Sequence, residues 1–214
     1  HRRSLKILEG SKLESSKKDS EMAEALVGIG VVHTRQGKFS KAIDEYTKAK
    51  DLAKKDDLQI FTLINNNMAL SYSGIFHSEK ALELWYETLK IMELFEAPVY
   101  MHNIATVKSN IASAYSNQQK HNKALKLHEE SLKMWTDHYG PNAKNLEIAR
   151  QLASLGRTHE MIGNGDKAAE YLRNALSMYN SVYLGRAHPE IVWMHFELSQ
   201  IYRNDSVKRE YHLQ

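Results

Sequence analysis

Histidine is the residue type in this sequence best suited to acid–base or metal chemistry, with 11 His and no Cys in the chain. A helical zinc site of the protease type needs two His four residues apart around a Glu. The segment THEMIG at 158–163 has one His and one Glu, without a second His at that spacing. The segment GIG at 28–30 is expected inside a helix, where it serves packing, so it is no phosphate-binding loop. Without Cys there is no disulfide framework, thiol nucleophile or Cys-based metal site. We therefore expect no enzyme activity, no metal and no cofactor.

Composition favours an ordinary helical, soluble protein. Of the 214 residues, 42% are hydrophobic and 26% are charged, with only 3 Pro, and this balance argues against disorder. No apolar run approaches the ~20 residues of a membrane-spanning helix, and the basic N-terminus lacks the apolar core of a signal peptide. The net charge is +3, with basic and acidic residues interleaved. We expect neither a membrane nor a nucleic acid as partner, and a cytoplasmic location.

Four stretches of the chain align on a Lys-Ala dipeptide, and other small residues recur at fixed offsets from it. The dipeptide Ala residues follow one another at 39, 43 and 44 positions, which indicates an internal repeat. Twelve positions before each Ala there is a small residue. Three positions after that small residue there is an aromatic residue or a His. Seven positions after the Ala there is another small residue. In chain order the four sets are Gly30, Ala69, Ala112 and Gly156; His33, Tyr72, Tyr115 and His159; Ala42, Ala81, Ala124 and Ala168; and Ala49, Thr88, Ser131 and Ala175.

Each period predicts a hairpin of two helices joined by a short polar turn. Apolar residues recur at i, i+3, i+4 and i+7 within each half, and small residues let the two helices approach closely. The large residues at the aligned positions are therefore expected to pack in the interior instead of binding a ligand or metal. These are Tyr46, Trp85, His33, His128 and His159. The residues expected to cap the second helices are Ser40, Asn122 and Asp166.

The segments IGVVHTRQGKFSKAIDEYTKA and LGRTHEMIGNGDKAAEYLRNA resemble the tetratricopeptide repeat, whose signature contains L-G-x-x-Y and A-x-x-x-F at a period of about 34 residues. The second and third hairpins depart from it at the turn, where Phe76 and Gln119 replace the Gly that favours positive φ. The longer period and linkers such as YLGRAHPEI are similar to those of kinesin light chains. The resemblance implies an all-α fold, an α-solenoid of stacked antiparallel helix hairpins that forms a superhelix with a concave face.

The alignment predicts a single solenoid over residues 1–214. Its parts are a lone second helix at 1–13, hairpins at about 20–54, 58–95, 100–138 and 144–183, a lone first helix at 188–203 and a tail at 204–214. The opening HRRSLKIL matches HEESLKMW at 128–135, which lies in a second helix. We therefore expect the chain to be a stretch of a longer repeat protein.

In tetratricopeptide proteins the first helices line a concave groove, so the resemblance implies a peptide-binding surface there. Family members often use an Asn two positions before the first small residue to bind the ligand main chain, and Asn67 and Asn110 match that position. An amide both donates and accepts hydrogen bonds, and Arg pairs bidentately with carboxylates. The predicted groove residues are Thr34, Arg35, Asn66, Asn67, Ser73, Asn110, Ser113, Asn117, Arg150 and Arg157. Two alternatives stay open: the Asn run at 65–67 is only a solvated surface, and Trp193 covers the end of the stack instead of facing the groove.

The leading interpretation is a non-catalytic adaptor module whose groove binds an extended or short helical segment of a protein partner that carries acidic residues. A second interpretation is a structural assembly scaffold, with self-association through the exposed ends of the solenoid. A third is a sensor or regulatory repeat arm of a larger multidomain protein.

Overall fold

The computed structural model describes residues 15–53, 57–94, 101–140 and 143–211, together with His1 and Ser4. Every regular element in these ranges is an α-helix, which confirms the prediction of an all-α helical repeat fold. The predicted lone helix at 1–13 lies outside the described residues apart from His1 and Ser4, and the side chains of the predicted tail at 204–214 also lie outside them. In the described ranges the helices are α1 (Ser15–Arg35), α2 (Phe39–Leu52), α3 (Leu58–Gly74), α4 (Ser78–Leu94), α5 (Met101–Asn117), α6 (His121–Tyr139), α7 (Leu146–Met161), α8 (Gly165–Tyr183) and α9 (Pro189–Tyr211).

The chain divides into two compact units, and unit 1 (His1–Tyr100) contains two hairpins. Helices α1 and α2 form hairpin 1, and α3 and α4 form hairpin 2. Hairpin 2 packs through α3 against both helices of hairpin 1. The absence of a side chain at Gly74 makes room for Phe39, because a Cβ at Gly74 would lie 2.6 Å from that ring.

Unit 2 (Met101–Gln214) contains hairpin 3 (α5 and α6), hairpin 4 (α7 and α8) and the single helix α9. Helix α6 packs against α7, and α9 packs against α8. Leu172 and Tyr179 of α8 meet Met194 and Leu198 of α9 in a buried apolar cluster. The Ser131 hydroxyl of α6 donates a hydrogen bond of 2.7 Å to the carbonyl of Ala105 on α5, which ties hairpin 3 together.

The aligned small residues are buried in every hairpin. Those of the second helices, such as Ala42, Ala81 and Ala175, are fully inaccessible to solvent. At Gly30 a Cβ would lie 2.4 Å from the Tyr46 ring, so α1 and α2 approach more closely than even Ala allows. The packing interpretation of the repeat pattern is therefore confirmed.

The four hairpin turns share one backbone conformation, although only two of them contain Gly. The second residue after each first helix has a positive φ: 71° at Gly37, 63° at Phe76, 60° at Gln119 and 77° at Gly163. The residue after each positive-φ residue donates its backbone N–H to the carbonyl five positions earlier, which is the hydrogen bond that closes a helix C-terminus. For example, the N–H of Lys120 donates to the carbonyl of Tyr115 at 2.9 Å. Packing of the hairpins thus imposes the left-handed conformation on a phenylalanine and a glutamine.

The prediction of side-chain caps on the second helices is wrong, because the tight turn starts each helix two residues earlier than expected. Ser40, Asn122 and Asp166 are the second residues of α2, α6 and α8. The capping positions are Lys38, Lys120 and Asn164, none of which makes a side-chain cap hydrogen bond. Side-chain caps are instead found on first helices: Asp57 accepts from the N–H of Ile60 at 3.1 Å, and Asn145 from that of Glu147 at 2.7 Å.

The strained turn between α5 and α6 allows a matched test. We expect Gln119→Gly to raise the free energy of unfolding by about 1 kcal/mol, because an L-residue in the left-handed region is strained by 1–2 kcal/mol. The same change at Gln118, whose φ is not positive, should lower it by roughly 0.5–1 kcal/mol through the flexibility of Gly. Urea unfolding of the two variants measures both values. Equal shifts in the same direction would show that Gln119 is not strained.

Candidate ligand-binding faces of the first helices

The ten predicted groove residues fall into two sets of five, one in each unit. Unit 1 holds Thr34 and Arg35 on α1, with Asn66, Asn67 and Ser73 on α3. Unit 2 holds Asn110, Ser113 and Asn117 on α5, with Arg150 and Arg157 on α7. Within unit 1 most of these polar groups are bonded inside the protein.

The Asn run at 65–67 mainly joins neighbouring helices. Asn65 is fully buried; its Oδ1 accepts from Lys50 Nζ at 3.0 Å, and its Nδ2 donates to Glu87 Oε2 at 3.1 Å. Asn66 Oδ1 accepts from Trp85 Nε1 at 3.0 Å. Asn67 is different, because its Nδ2 donates to the Leu63 carbonyl of its own helix at 2.8 Å. The first two side chains therefore stabilise the packing of α3 against α2 and α4.

Thr34 is the centre of a hydroxyl cluster within unit 1. Its Oγ1 donates to the Gly30 carbonyl at 3.0 Å and lies 3.1 Å from Tyr46 Oη and 2.9 Å from Ser71 Oγ. This cluster links α1, α2 and α3. The neighbouring Arg35 is exposed at the end of α1, and Ser73 is half-buried on α3.

The predicted residues of α5 form an uncharged face. Ser113 and Asn117 are exposed, and Asn110 is half-buried. Ser113 Oγ donates to the Ser109 carbonyl at 3.0 Å, so it satisfies a hydrogen bond within its own helix. Hydroxyl and amide groups of this kind can donate or accept.

A pocket of about 390 Å³ lies in unit 2 among α5, α7, α8 and α9. Three predicted residues line it: Asn110, Arg150 and Arg157. Trp193 lines it as well. We call this cavity the unit 2 pocket.

Arg157 is the charge in the unit 2 pocket that has no close carboxylate. Arg150 forms an ion pair with Glu147 on the same helix, and Glu190 lies 2.6 Å from His188 Nδ1. Within the described ranges no acidic oxygen lies within 4.0 Å of Arg157, and its guanidinium lies 4.4 Å from the centre of the Trp193 ring. This is a cation–π distance. The pocket therefore holds two arginines and two glutamates, and the Arg157 guanidinium lies against an aromatic wall instead of pairing with a carboxylate of the described residues.

One turn beyond Arg157, the carboxyl groups of Glu160 and Glu197 form a coupled pair. Burial is the main reason that the pKa of Glu160 rises to about 7. The hydrogen bond to Glu197 and the negative charge of Glu197 also raise this pKa, while the positive charge of Arg157 lowers it. Because the pair retains a proton near neutral pH, it carries less negative charge than two free carboxylates. With one proton the pair still carries one negative charge, which offsets part of the charge of Arg157.

Two buried polar residues beside the pocket were absent from the predicted set. Gln151 of α7 is 3% exposed and lines the pocket, and His128 of α6 is 1% exposed behind it. His128 Nδ1 lies 3.3 Å from Gln151 Oε1. The sequence does contain a signal for Gln151, because the matching position in other first helices is apolar, for example Ile64, Val107 and Met194.

The histidines at the aligned positions pack in the interior, as predicted. His33 and His159 are buried, and the His159 ring stacks on Tyr171 with centres 5.4 Å apart. Over the part of the chain that the structure describes, no group of three His, Asp or Glu side chains is placed to hold a metal ion. Nor does any helix there have the length and apolar character needed to cross a membrane.

Family models match two segments of the chain. Residues 103–181 match one model and residues 23–56 match another, and both models are described as tetratricopeptide repeat. Together they span more than half of the 214 residues. The chain is a tetratricopeptide repeat protein. Its tetratricopeptide hairpins occur in both units, since the shorter match covers most of hairpin 1 and the longer one covers hairpins 3 and 4.

Solved tetratricopeptide-like structures share the fold at low sequence identity. BtubC (BKLC) from P. vanneervenii has a TM-score of 0.79 and 19% identity over 96% of this chain and 81% of that one. The kinesin light chain TPR-like repeats from Podosopora anserina have a TM-score of 0.67 and a sequence identity of 15%. The match covers 92% of this chain and 90% of that one. A Rap protein complexed with Competence and Sporulation Factor has a TM-score of 0.73 and a sequence identity of 18%. The match covers 96% of this chain but only 54% of the Rap protein. No curated protein matches the sequence.

Burial of His128 in tetratricopeptide hairpin 3 predicts a pH dependence of stability. Desolvation by burial lowers the pKa of His128 from 6.5 to about 4. The hydrogen bond to Gln151 raises this pKa, and the positive charge of Arg157 lowers it further. Between these pH values the unfolded chain binds a proton that the folded protein does not. The free energy of unfolding should therefore fall as the pH drops from 6.5 to 4, by on the order of 3 kcal/mol.

His128→Leu isolates this contribution, because Leu172 occupies the equivalent position of hairpin 4 and is fully buried. We expect the variant to lose less stability than the wild type over the same pH range, measured by urea unfolding at each pH. Parallel curves for the two proteins would contradict the assignment to His128.

Proposed function

We propose that this chain is a non-catalytic protein- or peptide-binding module of the adaptor type. Its ligand is an extended or short helical segment of a partner protein, bound on the faces of the first helices. The observation that carries the proposal is Arg157, whose guanidinium lies beside Trp193 in the unit 2 pocket and has no ion-pair partner among the described residues. A soluble, cytoplasmic setting is part of this proposal.

The chemistry of unit 2 favours a partner segment with acidic residues. Arg157 supplies a guanidinium fork that matches a carboxylate, and Arg150 stands two turns earlier on α7. The uncharged face of α5, with Asn110, suits the donors and acceptors of a peptide main chain. A Rap protein of similar fold has been solved with Competence and Sporulation Factor bound, which supports a binding role for this architecture.

A charge-matched pair of variants tests the acidic ligand. We expect Arg157→Gln to weaken binding of an acetylated tetra-aspartate amide about tenfold, the loss of one charge-assisted hydrogen bond. Arg186→Gln removes the same charge from an exposed residue of the α8–α9 connection outside the pocket and should change affinity less than twofold. Titration followed by fluorescence or NMR at low salt gives both constants. Equal effects would mean that only net charge matters, and no binding in either would remove the acidic-ligand proposal.

The assembly scaffold is a second candidate, and helix α9 supports it. Val192 is 65% exposed and Tyr202 is 48% exposed. The residues at the matching position to Val192 in the four hairpins are nearly fully buried: Ala23, Thr62, Ala105 and Ala149. Because this face is buried in the hairpins and exposed on α9 in the described residues, it is the surface on which a helix of a second copy would pack in this candidate.

Self-association through α9 predicts a mass above that of the 24.6 kDa monomer at micromolar concentration. Val192→Glu should return the mass to that of the monomer, because it places a charge in the centre of the proposed contact. Val32→Glu, at another exposed Val, should leave the mass of the assembly unchanged. Light scattering after size exclusion measures all three proteins. A monomeric wild type would exclude this candidate.

A further inference from the structure

A second pocket in unit 2 is lined by both of its second helices, α6 and α8, together with the start of α7 and the residues just before it. Its volume is about 380 Å³. It has no lining residue in common with the unit 2 pocket. We call it the α6–α8 pocket, and the lining residues that matter here are Leu132, Lys144, Leu152, Asn174, Ser177 and Met178.

The apolar part of the α6–α8 pocket is continuous with the core of unit 2. Leu132, Leu152 and Met178 are half-buried, and they pack against the buried side chains of Trp135 and Ile148. The thioether of Met178 is flexible and polarisable, and thioethers make favourable contacts with aromatic rings. A cavity of this size with an apolar lining accepts one large side chain. These features favour an aromatic side chain as the occupant.

The α8 wall of the pocket lacks the charges that the other second helices carry. Asn174 and Ser177 are exposed, and they lie six and nine positions after the aligned Ala168. A charged side chain loses hydration when a ligand covers it, and the centres of protein interfaces are poor in charge. The α8 wall is therefore suited to being covered by a partner. At the same two offsets the other second helices have charged residues: Lys48 and Asp51, Glu87 and Lys90, and Glu130 and Lys133.

The charge at the edge of the α6–α8 pocket is positive. Lys144 is exposed, and it is the one charged residue among the described residues that line the pocket. The two acidic residues nearest to it in the sequence have other partners. Asp137 Oδ2 lies 2.6 Å from Lys133 Nζ, and Glu147 forms an ion pair with Arg150. Since Lys144 has no ion-pair partner among the described residues, a carboxylate of the ligand complements it.

We propose that the α6–α8 pocket is a second binding site, which holds an aromatic side chain of a partner protein with an acidic residue next to it in the sequence. The aromatic ring packs on Leu132, Leu152 and Met178, and the carboxylate lies at Lys144. The main chain of the partner passes over Asn174, whose amide both donates and accepts hydrogen bonds. This inference goes beyond the proposed function, which places a ligand on the first helices.

A fatty acid also combines an apolar chain with a carboxylate. It has no amide groups to bond to Asn174 and Ser177, so the lining favours a peptide. The two ligands are separated by titrating the protein with decanoate and with a peptide, each followed by the methyl signal of Met178 in NMR spectra.

The peptide probe is an acetylated Asp-Phe-Asp amide, in which the aromatic ring has a carboxylate on either side. We expect it to shift the Met178 methyl signal at about 0.15 M salt. The Asp-Ala-Asp analogue should bind at least about tenfold more weakly, because it buries no ring. The Asn-Phe-Asn analogue should bind about threefold more weakly, because the contact with Lys144 is exposed.

Two pairs of variants locate the site. Asn174→Glu restores the residue type of Glu87 and Glu130, so it suits a second helix, and we expect it to weaken binding of the Asp-Phe-Asp peptide about tenfold. Asn180→Glu adds the same charge to an exposed position of α8 outside the pocket and should change affinity less than about twofold. Lys144→Gln should abolish the preference for Asp-Phe-Asp over Asn-Phe-Asn, whereas Lys126→Gln, on the exposed surface of α6 outside the pocket, should retain it.

Each outcome supports or overturns the site. An unmoved Met178 signal, or equal affinity for the Phe and Ala peptides, overturns it. A response to decanoate without one to the peptide would assign the pocket to a lipid instead. Equal effects of the two Glu variants would mean that only net charge matters. Arg157→Gln should leave this titration unchanged, so the α6–α8 pocket and the proposed function can fail independently.

Discussion

Close approach of the two helices in each hairpin is the constraint on which the rest of the structure depends. Small residues at three aligned positions bring the backbones together, and at Gly30 even a methyl group would collide with the Tyr46 ring. The approach fixes the turn so firmly that Phe76 and Gln119 take a left-handed backbone conformation that normally needs Gly. Burial of apolar area then stabilises the stack of hairpins within each unit. This packing also determines which polar side chains are bonded between helices and which stay exposed.

The helical repeat could be predicted from the sequence because its signal is redundant. Small residues recur at fixed offsets four times, so a departure such as Phe76 does not obscure the period. Helix ends were harder to place, because they depend on one or two local hydrogen bonds. The expected caps at Ser40 and Asn122 failed when backbone bonds within the turn started each helix two residues earlier.

The candidate ligand-binding faces were less predictable, because the sequence does not show whether a polar side chain on a helix faces solvent or a neighbouring helix. Asn66 accepts from Trp85, and Thr34 bonds to Tyr46, so both contribute to packing. Arg157 has no such partner among the described carboxylates. The residue pattern of one helix does not show which groups of other helices will bond to its side chains. The three-dimensional structure is therefore needed to tell side chains used in packing from those left exposed.

One aligned position in the second helices explains much of this difference. It holds Tyr46, Trp85, His128 and Leu172, all buried. The polar tips of the first two bond to Thr34 and Asn66, which removes those groups from any ligand. The His128 ring lies 3.3 Å from the Gln151 amide oxygen, while Leu172 has no polar tip. The residue at this interior position therefore determines which polar groups of the neighbouring first helix are bonded inside the hairpin.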